Sequence, residues 1–446
     1  MKSPTPSRRT VRGSAVIAVA MAVMNFTTYG FVIVSARLLG PAEYGALAAV
    51  MGLLLVVNVP SLGLQATGAR RVSAAPDDLA EIEREVMATS YTASLALGVV
   101  VLAAIPLVTA VLNLDHWGAA ALLAVCAVPL SVMGGQAGIL QGERRWGPLA
   151  AIYLAVGLGR IGFGMAALVV RPDTLGAMTG VTVGAFLPVV VGWYALRRPD
   201  RRAAARASQR RPPSSPGRRW APGGVLRETM HNSHALLAFF ALSNADVVIA
   251  RSTLSEHQAG LYAGGLILTK AVLFLPQFVV VIAFPSMARR GAGKQMHLVS
   301  LGAVLAIGAV TVAGVAALSD LAVVFIGGPE YAELQSRLWA FAVLGTLLAL
   351  LQLMIYNIVA RQRQRAVLMV WAALAVLVLA TPLVGSVTGL LSVVVGVDTV
   401  LFLALLVRSL TPSYGGPTDP DLEDRVGPDE PSPDVDTQAG VAPTER

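Results

Sequence analysis

The sequence predicts an all-α polytopic membrane protein with about twelve transmembrane helices in two groups of six. Three observations lead there. Of 446 residues, 55% are hydrophobic and 13% charged, about half the charge of an ordinary soluble domain and too little to face water on every side. Apolar runs of about 20 residues recur along the chain, the length a helix needs to cross a hydrocarbon core of about 30 Å. The basic residues fall mainly in the gaps between those runs, and a mean hydropathy of +0.67 with 43 glycines and 26 prolines suits helices packed in lipid.

The runs place spans at about 14–36, 45–66, 88–112, 118–140, 147–170, 175–196, 232–250, 258–285, 297–319, 336–360, 366–384 and 388–408. Arg8, Arg9 and Arg12 precede the first one, as in a signal peptide. Its apolar stretch exceeds an h-region and no small-residue cleavage site follows, so it is read as a retained helix. Orientation follows from Lys and Arg in the loops. With the N-terminus inside, the N-terminal segment and the loops on that side carry 25 basic residues, whereas the opposite loops carry Arg37, Arg171, Arg251 and Arg337. Both termini are therefore expected in the cytoplasm, at a bacterial inner membrane.

Five segments follow: a cytoplasmic N-terminus (1–13), a six-helix lobe (14–196), a basic cytoplasmic linker (197–231), a second six-helix lobe (232–408) and a tail (409–446). The linker carries ten arginines and five prolines; it is a solvated connection or a contact for anionic lipid headgroups. Pro76, Asp77 and Asp78 before LAEIEREVM read as a short capped helix on the inner membrane face. The tail has nine acids, two basic residues and seven prolines, a composition that cannot bury enough surface to fold. Up to Arg408 the balance is 32 basic to 17 acidic. This basic charge orients helices, so nucleic acid is not an expected partner. Cys126 is the one cysteine, which excludes intramolecular disulfides and cysteine-rich metal sites.

An internal repeat links the halves. ARLLGPAEYGALAAV (Ala36 to Val50) leads through span two to Arg70 and Arg71, and ARSTLSEHQAGLYAGGLIL (Ala250 to Leu268) leads through span eight to Arg289 and Arg290. Each begins at Ala-Arg, passes a short outer loop with a Glu, and starts its next helix with small residues and Tyr44 or Tyr262. Two six-span repeats in one orientation require a pseudo-axis along the membrane normal.

At these residues the chain resembles the Wzx-type polysaccharide flippases of the multidrug, oligosaccharidyl-lipid and polysaccharide exporter (MOP) superfamily. The residues carrying the likeness are Ala36 to Gly45 (ARLLGPAEYG), Leu62 to Arg71 (LGLQATGARR), Asn244 to Asp246, Ala259 to Ala263 (AGLYA) and Phe284 to Arg289 (FPSMAR). The resemblance implies a MATE-like fold, with two lobes around a central cavity that opens alternately to either face. It also implies an outward-moving lipid-linked saccharide as substrate, with membrane lipids, a polymerase and glycosyltransferases as partners. The lipid II flippase branch carries an Arg-Asp pair in its first helix, where this chain has Asn25, Thr27 and Thr28.

Charges within spans are functional candidates, because each costs about 2.5–3.5 kcal/mol at the bilayer centre on insertion scales. Arg160 and Lys270 lie at mid-span in opposite halves, placed to hold a lipid pyrophosphate in a cavity, Arg through its fork and Lys as a point charge. Asp246, near the outer end of span seven, is the ion-coupling candidate, and it could instead pair with Lys270 as a structural clamp. Asp398 falls in span twelve, which the resemblance makes peripheral. Asn25, Thr28, Asn58, Asn244 and Gln277 are candidates to hydrogen-bond sugar hydroxyls or to join helices. Arg37 and Arg251, at matching outer helix ends, are interface or gate candidates.

Other patterns carry no chemistry. Gly157, Gly159 and Gly162 spell G-x-G-x-x-G inside a span with no strand before it, so they read as close helix packing. His231 and His234 are too few for a metal site, and no Walker motif is present. The expected function is a flippase without cofactor, metal or enzymatic activity; the alternative is a Na⁺- or H⁺-coupled exporter of drugs or small molecules. The orientation is open to direct test. A reporter fluorescent only in the cytoplasm is expected to be bright when fused after Arg446 and dark when fused after Asn113; the opposite pattern inverts the topology.

Overall fold

The computed structural model describes residues 8–197, 224–287, 293–360, 364–381 and 385–410, and the side chains of 15–197, 224–230, 233–273, 299–355, 366–381 and 385–409. The linker core, the tail and the Arg289–Arg290 pair lie outside the described residues. Among the described residues fourteen α-helices follow in chain order: α1 Arg8–Val57, α2 Val59–Ala74, α3 Leu79–Ala103, α4 Ile105–Val111, α5 Gly118–Gly142, α6 Trp146–Val170, α7 Thr174–Leu196, α8 Gly224–Thr253, α9 Glu256–Met287, α10 Gly293–Ala317, α11 Ser319–Ile326, α12 Leu338–Ala360, α13 Gln364–Leu379 and α14 Val387–Leu410. Short 3₁₀ turns, Pro76–Asp78 and Pro329–Arg337, precede α3 and α12. Met1–Leu405 forms one compact unit, and Leu406–Arg446 forms a second that includes the end of α14.

Among the described residues nine stretches are long and apolar enough to cross a membrane. The first, Ala15–Ala74, has the length of two crossings, and α9 and the shorter apolar α13 supply two more. This matches the expected set of twelve and gives a polytopic, all-helical membrane fold.

Several boundaries differ from expectation, each for a local reason. The loop expected at 37–44 is a kink inside α1: Gly40 adopts φ 69°, ψ 174°, and Pro41 restarts the helix. Glycine tolerates that φ, and proline fits a first helical turn because its missing N–H would have no partner there. The second crossing continues past a break at Asn58, ahead of Pro60, and runs as α2 to Ala74. LAEIEREVM is not a separate surface helix; it forms the first turns of α3, which starts at Leu79. Helix α8 begins at Gly224, eight residues before the expected start, because Glu228 and Thr229 find partners on α2.

Small residues set the helix contacts. A Cβ on Gly45 would lie 2.8 Å from the Gly260 nitrogen, and one on Gly260 would lie 1.7 Å from the Pro41 carbonyl oxygen. The two repeat segments therefore meet backbone to backbone, just past the kink of α1 and in the first turns of α9. Further along, Gly52 packs on Val247 and Asn244 of α8, and Gly63 packs on Ser233. Within the first half, Gly159 and Gly184 join α6 to α7, and Gly157 accepts Met24 and Thr27 of α1. Two glycines of the G-x-G-x-x-G pattern thus serve helix packing, as their membrane setting requires, whereas a Cβ on Gly162 would meet nothing within 4 Å. Gly260→Ala is expected to cost about 1–3 kcal/mol through overpacking. Gly302→Ala, where nothing lies within 4 Å, should be neutral or stabilising. Thermal unfolding of the two variants in detergent checks the contrast, and equal melting temperatures would refute it.

Candidate functional site

A charged cluster sits inside the second half. Asp246 on α8 is 2% exposed, and its two oxygens accept from the Val247 backbone N–H (2.8 Å) and the Tyr262 hydroxyl (3.2 Å). Tyr262, on α9, is held edge-on by Phe341 at 5.4 Å between ring centroids. Lys270, two turns further along α9, donates to Asn244 Oδ1 at 2.5 Å, and Asn244 donates in turn to the Phe240 carbonyl at 2.8 Å. No ion pair joins Lys270 directly to Asp246 among the described residues; the clamp expected between them is replaced by one through Asn244. Lys270 remains within electrostatic reach of Asp246.

Asp398 belongs to the same cluster. It is 2% exposed, interacts electrostatically with Asp246 and Tyr262, and has Oδ1 buried without a hydrogen-bond partner among the described residues. The expectation concerned the helix; from α14, this acid is turned inward. Two buried carboxyls, one ammonium and a phenol share the site. Buried like charges of this kind are stable only with a proton or cation between them.

In the first half Arg160 presents the opposite case. It is half-buried and makes no hydrogen bond or ion pair among the described residues. On its helix face Gly157 and Gly164 are buried against α1, whereas Leu158 and Val169, on the other side, are 55% and 74% exposed. The free surface of Arg160 therefore opens into the bundle and not onto lipid. Asn25 and Thr28 on α1 are also half-buried and without a hydrogen bond among the described residues. Thr27 differs, returning its hydroxyl to the Val23 and Met24 carbonyls.

Interactions at both ends tie the two halves together. At one end of the bundle Arg251, 5% exposed, donates to the Leu112 carbonyl (2.9 Å), the Asn113 carbonyl (3.1 Å) and Glu256 (3.0 Å), and the Asn113 amide returns a bond to the Arg251 carbonyl at 3.1 Å. Arg37 donates to the Val324 carbonyl at 2.6 Å, and the Tyr331 hydroxyl donates to the Ala36 carbonyl. Beside Arg251 a cavity of about 70 Å³ is lined by Glu43, Asp115, His116 and Asp173 among others. At the opposite end Arg71, 3% exposed, bridges Glu228 of α8 (3.1 Å) and Glu85 of α3 (3.0 Å), and Arg70 also pairs with Glu228.

The remaining sequence candidates are spread out. Asn58 sits at the helix break with Oδ1 buried and unpartnered among the described residues, and the side chain of Gln277 lies outside the described residues. His234 accepts a hydrogen bond from the Trp371 indole at 3.1 Å. Sequence reasoning missed a triad in which Gln65 Nε2 donates to Tyr153 Oη (2.7 Å) and to Gln141 Oε1 (2.9 Å). Its only signal was polar residues close to the inner ends of spans two, four and five.

Comparisons with known proteins agree with this architecture. The family described as "Polysaccharide biosynthesis protein" matches residues 10–291. No curated protein matches the chain significantly. Among solved structures, one described as the inward-facing conformation of a multidrug resistance MATE family transporter of the MOP superfamily is 14% identical, covers 87% of this chain and 93% of its own, and has a TM-score of 0.63. The outward-facing conformation of such a transporter is 13% identical, covering 90% and 94%, with a TM-score of 0.55. A MOP superfamily transporter from Pyrococcus furiosus, described through the reverse polarity of its binding pocket, is 14% identical, covering 92% and 98%, at 0.57. These likenesses show the fold.

The Arg251 contacts generate a prediction. Arg251→Ala removes three charge-assisted bonds, one of them buried and two partly buried, and should destabilise the protein by about 2 kcal/mol or more. Arg251→Lys should recover only part of this, since an ammonium cannot reach several carbonyls in a fixed fork. The exposed Arg37→Ala should cost less. Melting temperatures of the three variants decide it, and an Arg251→Ala protein as stable as the parent would refute the role.

Proposed function

Because the chain belongs to the polysaccharide biosynthesis protein family, we propose that it is a flippase that carries lipid-linked oligosaccharide or polysaccharide repeat units outward across the bacterial inner membrane. Family and fold are those of membrane transporters rather than enzymes. The observation that carries the finer reading is Arg160, a cation within a membrane-spanning helix, turned into the bundle, with no counter-charge among the described residues. Such a group is costly unless an anion reaches it. A lipid-linked phosphate supplies one, and a guanidinium binds two of its oxygens at once. Asn25 and Thr28, with free hydrogen-bonding capacity, serve the polar head beside it.

Transport follows alternating access between the lobes 14–196 and 232–408. Arg251 with Leu112 and Asn113 acts as the outer gate, and Arg70 and Arg71 with Glu228 as the inner one. The Asp246–Asp398 pair is the coupling site: a proton or Na⁺ taken up there relieves carboxyl repulsion, and Lys270, through Asn244, sets the charge that remains. Gly52 against Asn244 links this cluster to α1 of the opposite lobe. Partners in this reading are the lipid-linked saccharide, membrane lipids, and the polymerase and glycosyltransferases of the same pathway.

The alternative, a Na⁺- or H⁺-coupled small-molecule antiporter, would use the same acidic pair but has no need of Arg160 as an anion site. Arg160→Gln is expected to reduce surface display of the cognate polymer at least tenfold at normal protein level, with Arg160→Lys intermediate. Deleting the protein should leave drug susceptibility unchanged. Normal display in Arg160→Gln, or drug sensitivity on deletion with display intact, favours the antiporter.

A further inference from the structure

Helix α6 carries Trp146, Tyr153 and Arg160 at intervals of seven, so the three share one face with about 10.5 Å between successive members. At the middle position Tyr153 meets Gln65 of α2 and, through it, Gln141 of α5. Three helices of the first half thus converge on one amide and phenol group. The Tyr153 ring and Trp146 both pack on the apolar cluster formed by Ala137, Leu140, Leu149, Ile152 and Ala195, which fixes their orientation.

The hydrogen-bond inventory of this triad is incomplete. Gln65 spends both N–H groups, on Tyr153 Oη and Gln141 Oε1. That leaves the Gln65 carbonyl oxygen as an acceptor, with the Tyr153 O–H and the Gln141 NH₂ as donors. None of these free capacities is used among the described residues, the Gln65 carbonyl oxygen and the Gln141 nitrogen are not fully enclosed, and all three side chains are half-buried. A triad whose sole task is to clamp helices would be closed, because enclosed polar groups in proteins are almost always satisfied. This one keeps one acceptor and several donors unspent among the described residues. Their mutual orientation is locked by the two bonds from Gln65.

We propose that Gln65, Gln141 and Tyr153 form a saccharide subsite, which reads the hydroxyls of the sugar attached to a phosphate held at Arg160. A sugar ring offers neighbouring hydroxyls, each both donor and acceptor, and that is the complement of the triad's free groups. The two-turn step from Arg160 to Tyr153 gives the reach of a short saccharide extending from its phosphate toward the inner end. Trp146, one further step along, offers an aromatic body with a polar edge to a following sugar. The inference rests on the reading of Arg160 as the phosphate-binding group and assigns the substrate's head to the first half of the chain, on the inner side of Arg160.

The test uses the full-length protein in lipid nanodiscs and reads ligand-induced thermal stabilisation. The probes are inorganic phosphate and the 1-phosphates of glucose, galactose, mannose and N-acetylglucosamine. At least one sugar phosphate is expected to bind more tightly than inorganic phosphate. Tyr153→Phe, which keeps the ring, and Gln141→Leu should each erase that advantage, a loss of about tenfold in affinity or less, while leaving the response to inorganic phosphate intact. Arg160→Gln should abolish both responses. If Arg160→Gln changes neither response, the phosphate reading fails. If it abolishes both but Tyr153→Phe and Gln141→Leu keep the sugar advantage, the subsite alone is wrong. No sugar phosphate exceeding inorganic phosphate in the parent protein also overturns it.

Discussion

Hydrocarbon offers no hydrogen-bond partner to a peptide group, and nearly every feature of this molecule answers to that fact. Each N–H and C=O inside the bilayer must be satisfied within its own segment, so the described chain is helix with short turns. The same rule explains where the helix is broken. Gly40 and Pro41 interrupt α1 at a point where the exposed backbone finds side-chain and backbone neighbours: the Tyr331 hydroxyl reaches the Ala36 carbonyl, and Pro41 lies against Gly260. Charge follows the same logic. An ion costs several kcal/mol in the membrane interior unless it is paired or reached by water or a ligand, so each buried charge has to be explained by a partner.

The two halves answer that demand differently. In the second, Asp246, Asp398, Lys270, Asn244 and Tyr262 are gathered on α8, α9 and α14, where acid, base and phenol partly neutralise one another. In the first, Arg160 is half-buried with no hydrogen bond or ion pair among the described residues. An acid-rich cluster suits small cations and a lone guanidinium suits an anion, so the proposed function assigns driving ion and cargo to separate places. Connection between them runs through backbones that glycine lets touch. Gly45 on Gly260 and Gly52 beside Asn244 leave little room for one half to move without the other responding.

Legibility differed by scale. Crossings were readable because twenty apolar residues have few other uses. Helix ends were less so: α3 starts at Leu79 and α8 at Gly224 because amphipathic first turns found partners that no window of hydropathy contains. Among site residues, Arg160 and Lys270 stood out as charges in apolar runs. Their environments did not, since pairing Lys270 with Asn244 rather than Asp246 depends on side-chain directions across two helices. The Gln65–Gln141–Tyr153 triad was invisible for a similar reason. Glutamine and tyrosine near helix ends are common, and only the meeting of α2, α5 and α6 makes them a group.

By itself the sequence determined the helical, membrane-spanning class, the number of crossings and the short set of charges that lipid would penalise. All of these follow from local composition and its transfer energy, which a linear reading can sum. Tertiary structure alone decided which charges are neighbours. It turned Asp398 inward beside Asp246, left Arg160 without a counter-ion among the described residues, and spent Arg251 on the carbonyls of Leu112 and Asn113. Those outcomes depend on distances between segments far apart in the chain, set by how closely glycine-lined helices approach, and transfer energy carries no record of distance.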